Sequence, residues 1–113
     1  MEYLSPYKSY LVFSPPRTAN GLALTMLGIP TEGIKLYHKQ YLYYFYKGRF
    51  VQRPLALSKA KCKNLNYTFR EAVVDGDKLK RMVSTRWSLT NNCLTVTLKV
   101  TDYNYRRLWV DDD

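Results

Sequence analysis

The chain has 113 residues and an apolar fraction of 46%, which is enough for one folded domain and excludes a disordered chain. Its 18 Lys and Arg residues against 9 Asp and Glu give a net charge of +9 and a pI near 9.6. This surplus favours an anionic partner, whether nucleic acid, an acidic membrane surface or an acidic protein, although net charge also serves solubility alone.

The amino-terminal part of the chain predicts one strand and one ambiguous segment. Strand-forming side chains fill residues 7–13. Pro15 and Pro16 end this strand, because proline removes a backbone donor and fixes φ. Residues 18–28 are largely apolar and end in a glycine, so they predict a short helix, with a buried strand as the alternative.

The next predicted elements form a hairpin that is rich in tyrosine. Residues 41–46 place aromatic side chains on both faces of a strand, and Lys47-Gly48 predicts the turn that follows. Residues 49–57 are the expected return strand, and Pro54 places that strand at an edge or at a bulge. A lysine-rich connection over residues 58–64 comes next.

The rest of the chain predicts further antiparallel strands joined by tight turns. Residues 65–74, 79–89 and 105–110 have strand character, and Asp75-Gly76 and Asn91-Asn92 are typical turn sequences. Residues 94–100 alternate apolar and polar side chains more regularly than any other segment, which predicts a half-buried strand. The acidic residues 111–113 are expected to form a disordered tail.

Together these elements predict a mainly β fold. An antiparallel meander of this kind forms a small barrel or a strongly curved sheet. Residues 1–113 are expected to form a single domain, in which the segment near residues 18–28 supplies one short helix.

A segment without acidic residues is the main candidate for function. Residues 33–70 contain no Asp or Glu, but they hold nine Lys and Arg and six tyrosines. Cations neutralise phosphates and exposed rings stack on unpaired bases, so this combination is typical of surfaces that bind RNA or single-stranded nucleic acid. The predicted nucleic-acid or partner-binding residues are Lys35, Tyr37, Lys39, Tyr41, Tyr43, Lys47, Arg49, Arg53, Lys59, Lys61, Lys63 and Arg70.

Other interpretations of the same residues stay open. Tyrosine is a good strand former, and basic side chains beside it often form only a solvated face. A small structural or assembly subunit, of a virus, a phage or a larger complex, would use Tyr and Arg to contact an acidic protein partner or a second copy of itself. A closed barrel would instead hold a hydrophobic ligand among aromatic and aliphatic side chains, for which the candidates are Phe69, Val83, Trp87, Leu89 and Trp109.

The sequence indicates neither an enzyme nor a cofactor or metal site. His38 is the only histidine, no carboxylate lies near it in sequence, and Cys62 and Cys93 lack the spacing of metal ligands. Cys62 stands between Lys61 and Lys63, which predicts a lowered pKa for its thiol. Because the sequence shows no transmembrane segment and no signal peptide, an intracellular, reducing compartment is expected, while peripheral membrane contact stays open.

Overall fold

Five antiparallel strands form one sheet in the part of the chain that the computed structural model describes, residues 3–14 and 33–109. The strands are β1 Ser9–Phe13, β2 Ile34–His38, β3 Tyr41–Tyr46, β4 Arg49–Pro54 and β5 Thr68–Ala72. The helices are α1 Lys59–Asn64, α2 Gly76–Arg81, α3 Cys93–Val100 and α4 Tyr105–Trp109. The helix predicted over residues 18–28 and the acidic tail lie outside the described residues.

Two tight hairpins connect three neighbouring strands of the sheet. Lys47 and Gly48, between β3 and β4, have φ values of 51° and 80°, and two positive φ values are what a type I′ turn requires. The turn predicted at Lys47-Gly48 is therefore confirmed. Lys39 and Gln40, between β2 and β3, also have positive φ, at 49° and 66°, although neither residue type favours that region.

The sheet is open. Its strand order is β4-β3-β2-β1-β5, and the edge strands β4 and β5 do not pair with each other in the described residues. The predicted barrel is therefore wrong, whereas the mainly β character and the antiparallel pairing are confirmed. Pro54 lies in the edge strand β4, as predicted, in a position that tolerates the missing N–H of proline, but β4 ends there and not at residue 57.

Each face of the sheet packs against its own layer, because successive residues of a strand point to opposite faces. On the face that α1 covers, here called the α1 face, the buried side chains are Leu4, Tyr10, Val12, Tyr37, Leu42, Leu57 and Cys62. On the opposite face, here called the α3 face, they are Leu11, Ile34, Leu36, Tyr43, Phe50, Leu79, Cys93, Leu94, Val96, Val100, Tyr103 and Leu108. Two covered faces explain why β1 and β2 are apolar at consecutive positions.

Helices replace several of the predicted strands and connections. The strand predicted over residues 94–100 is part of α3, and the lysine-rich connection forms α1. The strands predicted over residues 79–89 and 105–110 overlap with α2 and α4, respectively. The residues that predicted turns are helix caps: Asp75 accepts a hydrogen bond from the backbone N–H of Lys78, and Asn92 caps α3. Asx residues suit both roles, so the sequence signal is shared between a turn and a helix start. Without these strands, the sheet has too few strands to close into a barrel.

We expect the substitution Asn92→Ala to destabilise the domain by about 1–2 kcal/mol, because it removes a capping box. The Asn92 side chain accepts hydrogen bonds from the backbone N–H groups of Leu94 and Thr95, and its amide donates to the carbonyl oxygens of Ser88 and Leu89. Urea unfolding measures the loss. The exposed Asn64→Ala is the matched control, and an equal change in both variants would contradict the assigned role of Asn92.

Candidate functional site

At the β5 edge of the sheet, acidic side chains pair with basic ones. Glu71 lies in the edge strand β5 and forms an ion pair with Lys8 at 2.9 Å. Asp102 accepts a hydrogen bond from the backbone N–H of Val73, just after β5, and pairs with Arg107 at 2.9 Å. Strands β2, β3 and β4 contain no carboxylate. The cations of the β3–β4 hairpin therefore lie on strands without a carboxylate, whereas Glu71 and Asp102 pair with cations elsewhere.

The β3–β4 hairpin and the segment beside it bring together an exposed group that we call the hairpin cluster: Tyr46, Lys47, Arg49, Arg53 and Arg86. Arg53 pairs in register with Leu42, and Arg49 pairs with Tyr46, so Tyr46 and both arginines point to the α1 face. The Tyr46 side chain is 42% exposed. The Lys47 Nζ lies 5.3 Å from the centroid of the Tyr46 ring, which holds the cation beside this ring.

A short segment, residues 85–87, lies along the outer edge of β4, directly after a turn in which Ser84 has a φ of 76°. The Phe50 N–H donates to the carbonyl oxygen of Thr85 at 2.9 Å, and the Phe50 oxygen accepts from the Ser84 N–H at 2.8 Å. Arg49 and Arg86 are bridge partners in this pairing. The Trp87 N–H donates to the Gly48 oxygen at 2.7 Å, and the Trp87 residue is 39% exposed at the hairpin tip.

The predicted nucleic-acid-binding residues did not include Tyr46, although it lies in the acid-free segment. They also did not include Arg86 and Trp87, of which Trp87 was predicted only to line a closed barrel. Both lie outside the acid-free segment over residues 33–70, on which the prediction rested. Only their pairing with the edge strand brings them to the hairpin, and pairing over that sequence distance leaves no local signal.

Two of the predicted binding residues, Tyr37 and Tyr43, lie in the core. They are 0% and 1% exposed. The Tyr37 hydroxyl donates to the Leu55 oxygen at 2.7 Å and accepts from the Leu57 N–H at 3.2 Å. The Tyr43 ring stacks on Phe50. These two rings are therefore unavailable for stacking on a base.

Lys35 and Arg70 are also held by the protein itself. Lys35 is only 8% exposed, and its Nζ lies 4.2 Å from the centroid of the Tyr44 ring. Arg70 points to the α3 face, where its Nη1 donates to the Leu108 oxygen at 3.3 Å and its guanidinium lies 5.1 Å from the Phe13 ring. The structure thus gives both residues contacts within the domain.

The remaining predicted residues are exposed at two further places. Lys59, Lys61 and Lys63 lie on α1, which covers the same face of the sheet to which the hairpin cluster points. Lys39 and Tyr41 lie at the other end of β3 and line a shallow cavity with Pro54. Arg49 and Arg53 therefore share one face of β4 four residues apart, and Lys47 lies in the turn beside Arg49. Arg53 lies at the end of β4 that is nearer to Tyr41, and Lys59 lines a cavity with Lys8 and Glu71.

His38 and Cys62 are the titratable side chains most relevant to catalysis. The Oγ of Ser9 lies 2.6 Å from the His38 Nδ1, and a Cβ added at Gly76 would lie 2.9 Å from the His38 Nε2. Burial raises the pKa of the Cys62 thiol. The predicted lowering of that pKa is wrong, because the thiol faces the core while the flanking lysines face solvent.

Residues 3–14 and 33–109 contain no group of His, Cys, Asp and Glu side chains that could hold a metal ion. Among the helices of these residues, none has both the length and the apolar character needed to cross a membrane.

We expect stability to decrease as the pH falls below the ordinary His38 pKa of 6.5, because burial, with the charges of Lys39 and Lys80, lowers that pKa in the folded state. The unfolded chain then takes up the proton first, so the free energy of unfolding falls until the pH passes the folded pKa. Urea unfolding at about pH 7.5 and about pH 5.5 brackets this window. The variant His38→Asn should lose the dependence, and an unchanged dependence would assign it to another group.

Comparison with known proteins found no matching family model, no matching curated protein and no matching solved structure.

Proposed function

We propose that this protein is a non-enzymatic binding protein that binds nucleic acid, RNA or single-stranded DNA, through the hairpin cluster and the exposed lysines of α1. Charge segregation supports this proposal most directly. The hairpin cluster carries Lys47, Arg49, Arg53 and Arg86, while the described carboxylates lie in β5 and after it. A surface that carries several cations attracts a polyanion through its charge. An exposed aromatic ring on the same surface can stack on an unpaired base of that polyanion.

The number of cations on this face sets the expected salt dependence. The α1 lysines add to the four cations of the hairpin cluster on the α1 face. If about six of these cations meet phosphates, log K falls with log salt at a slope of roughly −4 for a single strand and roughly −5 for a duplex. Stacking of one base on Tyr46 adds about 1–3 kcal/mol to the binding free energy. A duplex gains this contribution only if one of its base pairs opens.

A salt-dependent titration tests the proposal. Labelled single-stranded RNA, single-stranded DNA and duplex DNA of equal length are titrated with the protein between about 50 and about 200 mM salt. The proposal expects a steep slope for every polymer and tighter binding of the single strands. Weak binding to all three polymers without salt dependence would rule it out.

A second candidate function is an assembly subunit that contacts an acidic protein or a second copy of the chain. The exposed Trp87 and Leu89, at 39% and 77%, support it, because aromatic and Arg side chains are favoured in interfaces. Light scattering after size-exclusion chromatography separates the candidates. A closed oligomer that Trp87→Ser dissociates would favour assembly, whereas a monomer that binds oligonucleotides would favour the first function.

A further inference from the structure

We infer that Arg49 and Arg86 form a phosphate-binding pair whose occupant is a phosphodiester of a single-stranded nucleic acid. The inference rests on the proposed function and assigns to it a specific contact. Both residues are exposed, and Arg86 comes from the segment beside β4, outside the acid-free stretch of the sequence.

The sheet fixes the distance between the two arginines. As bridge partners they point to the same face, and directly opposed residues have Cβ atoms about 4.5–5.5 Å apart. The two hydrogen bonds of Phe50 with Ser84 and Thr85 hold this register. The Arg49 Nη1 also donates to the Ser84 oxygen at 3.2 Å, which keeps the Arg49 guanidinium on the strand that carries Arg86.

Charge makes this pair incomplete without an anion. Like charges directly opposite each other on neighbouring strands are destabilising. Within residues 3–14 and 33–109, neither arginine forms an ion pair with a carboxylate. A phosphate between two guanidinium groups accepts hydrogen bonds from both, in the planar geometry that Arg supplies and Lys does not. One bound phosphate therefore replaces a repulsion by two attractions.

The position of Tyr46 favours a single strand as the source of that phosphate. Tyr46 pairs with Arg49 across the hairpin, so Tyr46, Arg49 and Arg86 form one row across β3, β4 and the segment bridged to β4. A phosphate at the arginines places an adjoining base near the exposed Tyr46 ring. Bases of a duplex are already stacked, whereas those of a single strand are free to stack on a ring.

The experiment compares Arg86→Gln with the matched control Arg81→Gln, which removes the same charge from the exposed face of α2. We expect R86Q to weaken binding of a single-stranded oligothymidylate about fivefold at about 0.1 M salt and to reduce the salt slope by about 0.7, the share of one phosphate contact. R81Q should leave both quantities unchanged. Arg49→Gln should repeat the effect of R86Q.

A second measurement uses inorganic phosphate alone. In the wild-type protein, phosphate should shift the NMR signals of the Arg49 and Arg86 Nε–H groups, and in R86Q it should leave the Arg49 signal in place. If the wild type binds oligonucleotides steeply but R86Q behaves as R81Q does, the pair is refuted while the proposed function stands. If phosphate shifts both signals but no oligonucleotide binds, the proposed function fails and the occupant is wrong. Tighter, Arg86-dependent binding to vesicles of phosphatidylserine than to oligonucleotides would also overturn the nucleic-acid occupant.

Discussion

Replacing Lys47, Arg49 and Arg53 together by glutamine is expected to weaken binding of a single-stranded oligonucleotide about 100-fold at about 0.1 M salt. Each lost phosphate contact removes about 0.7 from the slope of log K against log salt, so three contacts remove about 2. At about 0.1 M salt that slope corresponds to about two orders of magnitude in affinity. Fluorescence anisotropy at several salt concentrations measures both quantities.

The helix α2 offers a control with the same change in net charge. Lys78, Lys80 and Arg81 are exposed on α2, which packs on the α3 face through the buried Leu79. Their replacement by glutamine should leave the affinity within about twofold, because α2 packs on the face of the sheet opposite to the one to which the hairpin cluster points. Equal losses in the two triple variants would mean that net charge, and not the hairpin cluster, determines binding.

Tyr37→Ala is expected to reduce the free energy of unfolding by about 3–5 kcal/mol, because it removes a fully buried ring and leaves a cavity. The Tyr37 hydroxyl also bonds to the backbone of Leu55 and Leu57. Tyr37→Phe keeps the ring and removes only these bonds, so it should cost about 1–3 kcal/mol and report the hydroxyl contribution if the alanine variant does not fold. Urea unfolding followed by circular dichroism measures both variants.

Tyr46→Ala is the matched control for that experiment and has the opposite expected profile. Tyr46 lies on the neighbouring hairpin and is 42% exposed, so its replacement should change stability by less than about 0.5 kcal/mol. It should instead weaken oligonucleotide binding by about 1–3 kcal/mol through the lost stacking. A stability loss for Tyr46→Ala equal to that for Tyr37→Ala would contradict the assignment of one ring to the core and the other to the surface.

The strands of the sheet were accessible to sequence reasoning because their signals are local. The turn at Lys47-Gly48 contains a glycine, and Pro54 indicates an edge strand because proline lacks the N–H that a central strand needs. The turn at Lys39-Gln40 was not predicted, because no glycine or asparagine marks its two positive φ values. The helix α3 was predicted as a strand, because its alternating residues have high β propensity and only packing against the sheet favours a helix.

The sequence predicts the positive charge of the candidate site but does not predict which of its side chains are exposed. The acid-free segment does contain the hairpin cations, which composition alone reveals. The same alternation cannot tell a buried ring from an exposed one when both faces of a sheet are covered, so the prediction named the buried Tyr37 and Tyr43 and omitted the exposed Tyr46. Arg86 and Trp87 join the site through edge pairing between distant segments, which a pattern of neighbouring residues does not encode.

The position of α3 in the chain means that it is synthesised after the strands that it covers. Its sheet partners, among them Leu11, Leu36 and Phe50, all precede it in the chain. A ribosome therefore releases the apolar α3 face of the sheet before the helix that covers it. A nascent or truncated chain that ends before Cys93 exposes this face. When residues 93–100 emerge, they have a high strand propensity and are not yet packed against the sheet as a helix. Both favour intermolecular strand pairing. Because Tyr103 and Leu108 also belong to this buried cluster, the cover of the face is complete only when α4 has been synthesised.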